Sequence, residues 1–461
     1  MQPLTLAEIA AITGGTVEAA YADVQVDTVT LDSRHVAGAS LFVALKGGHV
    51  DGHDFAGAFF AAGGTAVLAQ RAVGGACVIV PDPARALGAV GRDYRARFAI
   101  PVVGVTGSVG KTSTRGMIEA VLRTAGPVCS SVGNHNNALG VPLTLLDLTA
   151  EDRYAVVEMG MDHAGEMAYL TSLVRPTIAV ITNIGTAHIA NLGSRAAILA
   201  AKLEILEGLS PDGLVVLNGD DDRLAPLVGQ LPYTVRTYGV DNPACDVRAE
   251  DVDLIDTGSR FAVGPDEYYV SHPGAHHVYN ALAAIAVGRA CGIPVADLQR
   301  GIASFTPIAG RQVIEVVAGV RIIDDCYNAG PDSMRAALDV LSLTSGNGRR
   351  IAVLGDMLEL GDYAPASHRE VGQYAATHAD MIITVGEYAA LTAEAPQAAG
   401  LPTYHVDTRA EAVDRLAREV APGDTVLIKA SRGATFEEIT QGLRAVLRLP
   451  AHLEGLPYAR G

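Results

Sequence analysis

Tryptophan is absent from this 461-residue chain, phenylalanine is limited to 8 residues, and positive charge is in short supply. Lys and Arg number 34 against 51 Asp and Glu, for a formal net charge of −17. That balance excludes a nucleic-acid partner, whose phosphates demand a broad basic face. No uninterrupted apolar run approaches the roughly 20 residues needed to cross a bilayer, which excludes membrane insertion through a helix. The five cysteines, Cys77, Cys129, Cys245, Cys291 and Cys326, are scattered without metal-ligand spacing and read as buried thiols in a reducing compartment. The first nine residues lack the basic segment and apolar core of a secretory leader, so the expected location is the cytoplasm.

What is present fits a multidomain α/β enzyme: 49% hydrophobic residues, 50 glycines, and a length that suggests about three domains at roughly 150 residues each. Residues 1–82 alternate short strand-like runs (24–30, 40–45, 65–69, 77–80) with small helical ones, and Pro81 to Pro83 ends the segment. Residues 83–311 carry apolar runs at 101–105, 153–159, 178–181 and 213–217 between helical stretches, the pattern of a parallel sheet with crossovers. A further α/β series fills 312–461, with strand candidates at 320–324, 350–354, 381–385 and 425–429, and reads as a Rossmann-like third domain.

The most informative segment is 102–123, a buried strand, then Gly107, Ser108, Val109, Gly110, Lys111, Thr112 and Ser113, then a helix start. Backbone N–H groups of such a loop converge on phosphate oxygens, the lysine reaches the terminal phosphates, and the threonine hydroxyl can ligate magnesium. The loop is short, because position 105, where a strict phosphate loop has its first glycine, is Val. A nucleotide triphosphate, ATP or GTP, is the expected ligand. Glu158 closes a second apolar strand at the end where ligands of parallel sheets gather and is a candidate magnesium ligand; on its own it could be an ordinary strand-end acid. His188 ends a polar loop beyond a third strand, and alone would more often cap a helix or sit in a core. Lys202 lies in a helical run, where a lysine is normally a solvated residue.

Taken together and in order, the loop 106–112, the segment 133–144, Glu158 to Gly160, Asn183 to His188, Lys202, His276 to Asn280 and Gly310-Arg311 resemble the central domain of the Mur ligases, ATP-dependent amide-forming enzymes of peptidoglycan synthesis. Segments 323–334 and 354–361 resemble the MurF branch, which adds a D-alanyl-D-alanine dipeptide. Asp32 to Arg34, 41–47 and 51–55 resemble the UDP-substrate domain that this branch shares with MurE. Val109, Ser113, Gly330 and Ala430 depart from the usual residues of the family.

The resemblance implies a three-domain architecture: a UDP-substrate domain, a central phosphate-loop domain and a C-terminal acceptor domain. It implies that Lys111 with Gly107, Ser108, Val109, Gly110, Thr112 and Ser113 holds ATP phosphates, with Asn280 at adenine, Asp325 at ribose and Arg311 at phosphate. Two magnesium ions are implied, held by Thr112, Glu158, His188 and a carbamylated Lys202, and Lys111, His188 and Lys202 are the implied catalytic residues. Ser33, Arg34, Lys46, Asn134, Asn136 and Asn137 would meet the UDP substrate. Asn328, Asp356 and Arg432 would meet the acceptor, although each could equally cap a helix. The implied substrates are UDP-N-acetylmuramoyl-tripeptide and D-alanyl-D-alanine, joined through an acyl phosphate by a monomer. The rivals are a MurE-type or folylpolyglutamate-type ligase, and a phosphate-loop protein that binds nucleotide without catalysis. The UDP-domain motifs disfavour the folate reading, and the Asp-Asn-Pro-Arg motif of MurE is absent.

Overall fold

The computed structural model describes residues 1–344 and 346–448; the remainder of the expected third domain, 449–461, lies outside them. Three α/β bodies follow one another along the chain. The first is built on a five-stranded sheet in the order Thr16–Val17, Cys77–Ile79, Ala66–Ala69, Ser40–Val43, Thr28–Thr30, parallel except for its first pair. Pro81 to Pro83 is less a terminator than a start signal: Asp82 accepts from the N–H groups of Ala84 and Arg85, and Pro83 opens the helix Pro83–Arg95. Tyr94 of that helix is fully buried, and its hydroxyl donates to the Leu148 carbonyl at 2.8 Å and accepts from the Gln2 N–H at 2.7 Å. The first body is thereby tied to the second.

The second body is a seven-stranded, wholly parallel sheet in the order Val247–Arg248, Thr234–Gly239, Leu214–Asn218, Ile178–Ile181, Val102–Thr106, Tyr154–Glu158, Val128–Ser130. Its central strands are continuous apolar runs because helices cover both faces. Strand Val102–Thr106 is buried along its whole length. The alanine-rich helix Ala275–Ala290 is buried on nearly every side and packs against Lys111–Leu122, the helix that follows the glycine loop. Thr106, Glu158 and Ile181 all stand at the carboxyl ends of adjacent strands, which is where an open parallel sheet presents its ligand crevice.

A small antiparallel sheet, Glu250–Ile255, Gly258–Val263 and Asp266–Val270, was not expected from the sequence. Its first strand reads Glu-Asp-Val-Asp-Leu-Ile, with acids on the exposed side, so it has no apolar run to announce it. The third body has six strands in the order Val313–Val317, Val320–Asp324, Thr425–Lys429, Arg350–Gly355, Met381–Val385, Thr403–Val406, parallel except for the first pair.

Candidate active site

Gly107 sits at φ +148°, and a Cβ there would lie 1.9 Å from Thr182 Oγ1, so only glycine permits the turn. The loop is clamped from the neighbouring strand end. Asn183 accepts the Ser108 N–H on its carbonyl and the Val109 N–H on Oδ1, both at 3.0 Å, while Thr182 Oγ1 donates to the Val109 carbonyl at 2.7 Å. Two loop amides are therefore already committed, and the phosphate donors that remain include the first-turn N–H groups of helix Lys111–Leu122, which have no intrahelical acceptor. Lys111 Nζ donates to the Gly107 and Ser108 carbonyls at 2.9 and 3.2 Å and so lies across the loop.

This loop forms one wall of a cleft of about 820 Å³ between the second and third bodies. His188, Asn280, Arg311, Asp325 and Asn328 line it together with Ser108 to Ser113. Asn280 is 6% exposed; its Oδ1 accepts from Thr114 Oγ1 at 2.8 Å, and its Nδ2 has no partner. One turn earlier, His277 is buried with both ring nitrogens unpartnered, and burial pushes its pKa far down, so the ring is neutral. Arg311 stacks on the Tyr327 ring at 4.1 Å. Asp325 is engaged twice, by the Gln312 N–H at 3.1 Å and by Lys429 Nζ at 2.6 Å.

Glu158 and Lys202 are each 1% exposed and do not line the cleft. Glu158 Oε1 accepts from Asn136 Nδ2 at 2.9 Å, while Oε2 lies 3.7 Å from Arg115 Nε and has no hydrogen bond. Desolvation pushes the Lys202 ammonium well below its ordinary pKa, and Lys111 nearby adds to the effect. Lys111 is shifted down by the same burial. His188, in the left-handed region at φ +61°, has Nδ1 at 2.8 Å from Glu359 and 3.1 Å from Asp162, neither with hydrogen-bond alignment.

The residues expected at the UDP substrate do not gather in this cleft. Arg34 is exposed and paired with Asp32 at 2.6 Å, and Lys46 and Asn134 are exposed. Asn136 braces Glu158, and Asn137 Oδ1 accepts the Leu139 and Gly140 N–H groups where the chain enters the helix Gly140–Leu146. Among the acceptor candidates, Asp356 accepts from the Ala389 N–H at a helix start and Arg432 lies over Tyr327 at 5.2 Å; neither lines the cleft.

Sequence profiles of three Mur ligase domains match this chain: the family's catalytic domain over residues 25–93, its middle domain over 105–288 and its glutamate ligase domain over 311–432. The chain belongs to the Mur ligase family. Among its relatives, the UDP-N-acetylmuramoyl-tripeptide--D-alanyl-D-alanine ligase of Bacillus subtilis (strain 168) is 37% identical, over 95% of this chain and 98% of the relative. The enzyme of the same name from Escherichia coli (strain K12) is 34% identical over 96% and 99%. A crystal structure of MurF from Acinetobacter baumannii superposes with a TM-score of 0.88 at 32% identity, covering 96% of this chain and 99% of that one. MurF of Thermotoga maritima in complex with ADP gives 0.78 at 27%, covering 91% and 97%.

In this Mur ligase, the sequence alone assigns no role to Arg115, nor to Asn183, His277 and Glu359, although the last three lie in segments that carry the resemblance. Arg115 follows Lys111 by four residues and His277 precedes Asn280 by three, so helical spacing puts each on the face of a residue already singled out. Glu359 gave no such signal, since a loop from another body brings it to His188.

Proposed function

We propose that this chain is the ATP-dependent ligase that joins D-alanyl-D-alanine to UDP-N-acetylmuramoyl-tripeptide in peptidoglycan precursor synthesis. Near-full-length identity of 37% to a ligase of that name carries the reading. The cleft supports it chemically, with a lysine-bearing glycine loop and His188 in one cavity. The test is release of ADP and phosphate in the presence of both substrates, with the amide product identified by mass. Turnover that needs a diamino acid in place of the dipeptide would favour the MurE-type reading instead.

The substrate carboxylate attacks the γ-phosphorus, the bond to the β-phosphate bridge breaks and ADP leaves. The dipeptide ammonium gives one proton to solvent, the free amine attacks the acyl carbon, the bond to phosphate breaks, and the second amine proton leaves to the released phosphate or to solvent. In the first step Lys111 exchanges the Gly107 and Ser108 carbonyls for phosphate oxygens, and the helix N–H groups from Lys111 onward hold the same group. Asn280 Nδ2, free and buried, is a donor suited to an adenine ring nitrogen, and Arg311 is held flat against Tyr327 where it can reach a phosphate. For Asp325 at the ribose, the Lys429 pair would have to be shared or exchanged.

The donors present fit magnesium. Glu158 Oε2 is a buried oxygen without a hydrogen bond, and the Thr112 hydroxyl is 3% exposed beside the loop. These two would hold one ion, and His188 with Lys202 a second. Magnesium neutralises phosphate charge when bound, and two anions must meet here. A buried lysine that prefers to be uncharged is suited to take up carbon dioxide as a carbamate, which would turn Lys202 into an oxygen ligand.

We take the domains as 1–82, 83–311 and 312–461. Ser33, Arg34, Lys46 and Asn134 remain our candidates for the UDP substrate, with Asn136 and Asn137 acting through the loop they brace. Asn328 faces the cleft and is the favoured acceptor contact over Asp356 and Arg432. No helix among the described residues is long and apolar enough to cross a membrane. We assign a monomer working in the cytoplasm, where ATP is held.

A further inference from the structure

Three acidic residues of the third body line the cleft: Asp325, Asp332 and Glu359. Asp325 is matched by Lys429 at 2.6 Å and Asp332 by Arg335 at 2.7 Å. Glu359 has no Lys or Arg within ion-pair distance among the described residues; its ionic neighbour is His188. The segment that carries it, 354–361, stands out in the sequence, and of its residues only Asp356 has been given a candidate role so far.

The backbone around Glu359 is held on three sides. The Met357 N–H donates to His368 Nε2 at 3.0 Å, the Leu358 N–H to Ser431 Oγ at 2.9 Å, and the Glu359 carbonyl accepts from the Ala190 N–H at 3.3 Å. Glu359 itself adopts φ +64°, and its partner His188 adopts φ +61°. Two non-glycine residues in the left-handed region therefore meet at the reactive end of the cleft. Such strain persists only where the surroundings enforce it and is a pointer to function. The side chain stays 56% exposed, so the carboxylate is fixed at its base and open at its tip.

A carboxylate here faces a place where phosphate and a substrate carboxylate must gather, and like charges repel unless a cation comes between. We propose that Glu359 receives the ammonium group of the incoming acceptor, which on the ligase reading above is the amino end of a zwitterionic dipeptide. A metal ion fits this point less well. Of the four proposed metal donors, Thr112, Glu158 and Lys202 are 1–3% exposed and away from Glu359, and only His188 adjoins it; all four belong to the second body. Among the described residues no group of three or more His, Cys, Asp or Glu is arranged to hold a metal. An ammonium needs only one carboxylate and a route from solvent, and both are present. Glu359 thus binds the acceptor's amino end on the side of the cleft that His188 occupies.

The test separates the two half-reactions in the full-length enzyme. In Glu359→Gln, the KM for the dipeptide should rise about 10- to 100-fold, the span expected for loss of a charge-assisted hydrogen bond. The KM values for ATP and the UDP-tripeptide should stay within about twofold. Acyl phosphate formed without dipeptide, trapped by borohydride as the alcohol, should appear at the wild-type rate. Glu359→Asn, whose side chain tolerates the left-handed region, should behave alike and serves if the glutamine variant folds poorly. An unchanged dipeptide KM overturns the proposal, and so does loss of acyl phosphate with a raised magnesium requirement, which would make Glu359 a metal ligand. Wild-type enzyme that forms acyl phosphate but never uses a dipeptide would sink the ligase reading instead.

Discussion

The side-chain amide of Asn136 donates to one carboxylate oxygen of Glu158 across 2.9 Å and leaves the other oxygen without a hydrogen bond, 3.7 Å from Arg115 Nε. One oxygen is spent on orientation. On the proposed reading, in which Glu158 holds magnesium, Asn136 is a brace for that ligand, whatever it also does for the UDP substrate. Asn136→Ala is expected to weaken magnesium binding about 10- to 100-fold, as loss of an outer-shell hydrogen bond does. A magnesium titration of the ligation rate reads this directly, and an unshifted curve would remove the metal from Glu158.

Lys202→Ala should be inactive and should regain part of its activity with a short carboxylic acid that fills the space of a carbamate, whereas Lys202→Arg should not respond. The burial that pushes the ammonium pKa down is the physical basis. Intact mass or carbon-13 spectra under bicarbonate check the modification; a free amine in active, metal-loaded enzyme contradicts it.

His368 is fully buried and uses its Nε2 as an acceptor from the Met357 N–H, so it must be neutral there, and burial lowers its pKa from 6.5. Below pH 6.5 the unfolded chain takes up a proton that the folded one resists. The stability this group lends is complete above that pH and declines as pH falls. His368→Phe should therefore flatten the fall of unfolding free energy between pH 6.5 and 5, by at most about 1.4 kcal/mol per pH unit. His272, His276 and His277, all lowered by burial, contribute to the remaining slope. Urea unfolding at several pH values measures it, and an unaltered slope would mean that His368 is protonated in the folded state.

Tyr94→Phe removes one hydroxyl that serves both the Gln2 N–H and the Leu148 carbonyl in a buried junction. Two backbone groups lose their partner, at a cost of about 1–3 kcal/mol. A lowered melting temperature with turnover near normal at low temperature is the expected result; a loss of turnover with no thermal change would assign Tyr94 to the reaction.

Much of this architecture is legible in the sequence because the inner strands of a covered parallel sheet are apolar runs: Ile178–Ile181, Val320–Asp324, Met381–Val385 and Thr425–Lys429 lie where the hydrophobic pattern puts them. Strands near the sheet margin escaped, as in Thr234–Gly239, one in from the edge strand Val247–Arg248, where Arg236 and two threonines break the run and the first half is only partly covered. At the site, Lys111 and Thr112 are legible because loop, lysine and helix are contiguous. The Glu158–Asn136 and His188–Glu359 pairs are not, since their members are 22 and 171 residues apart and only the fold brings them together.

The clamp on the glycine loop bears on how a nucleotide is met. Asn183 and Thr182 hold Ser108 and Val109 before any ligand arrives, so the ordering of these two residues is part of folding rather than of binding. A loop that sampled many shapes would discount the observed affinity by the fraction of time spent in the receptive one. Here that discount is small at the loop itself. Whatever slow rearrangement accompanies nucleotide binding must come from elsewhere, from the swing of Lys111 off its own carbonyls or from the parting of Glu359 and His188.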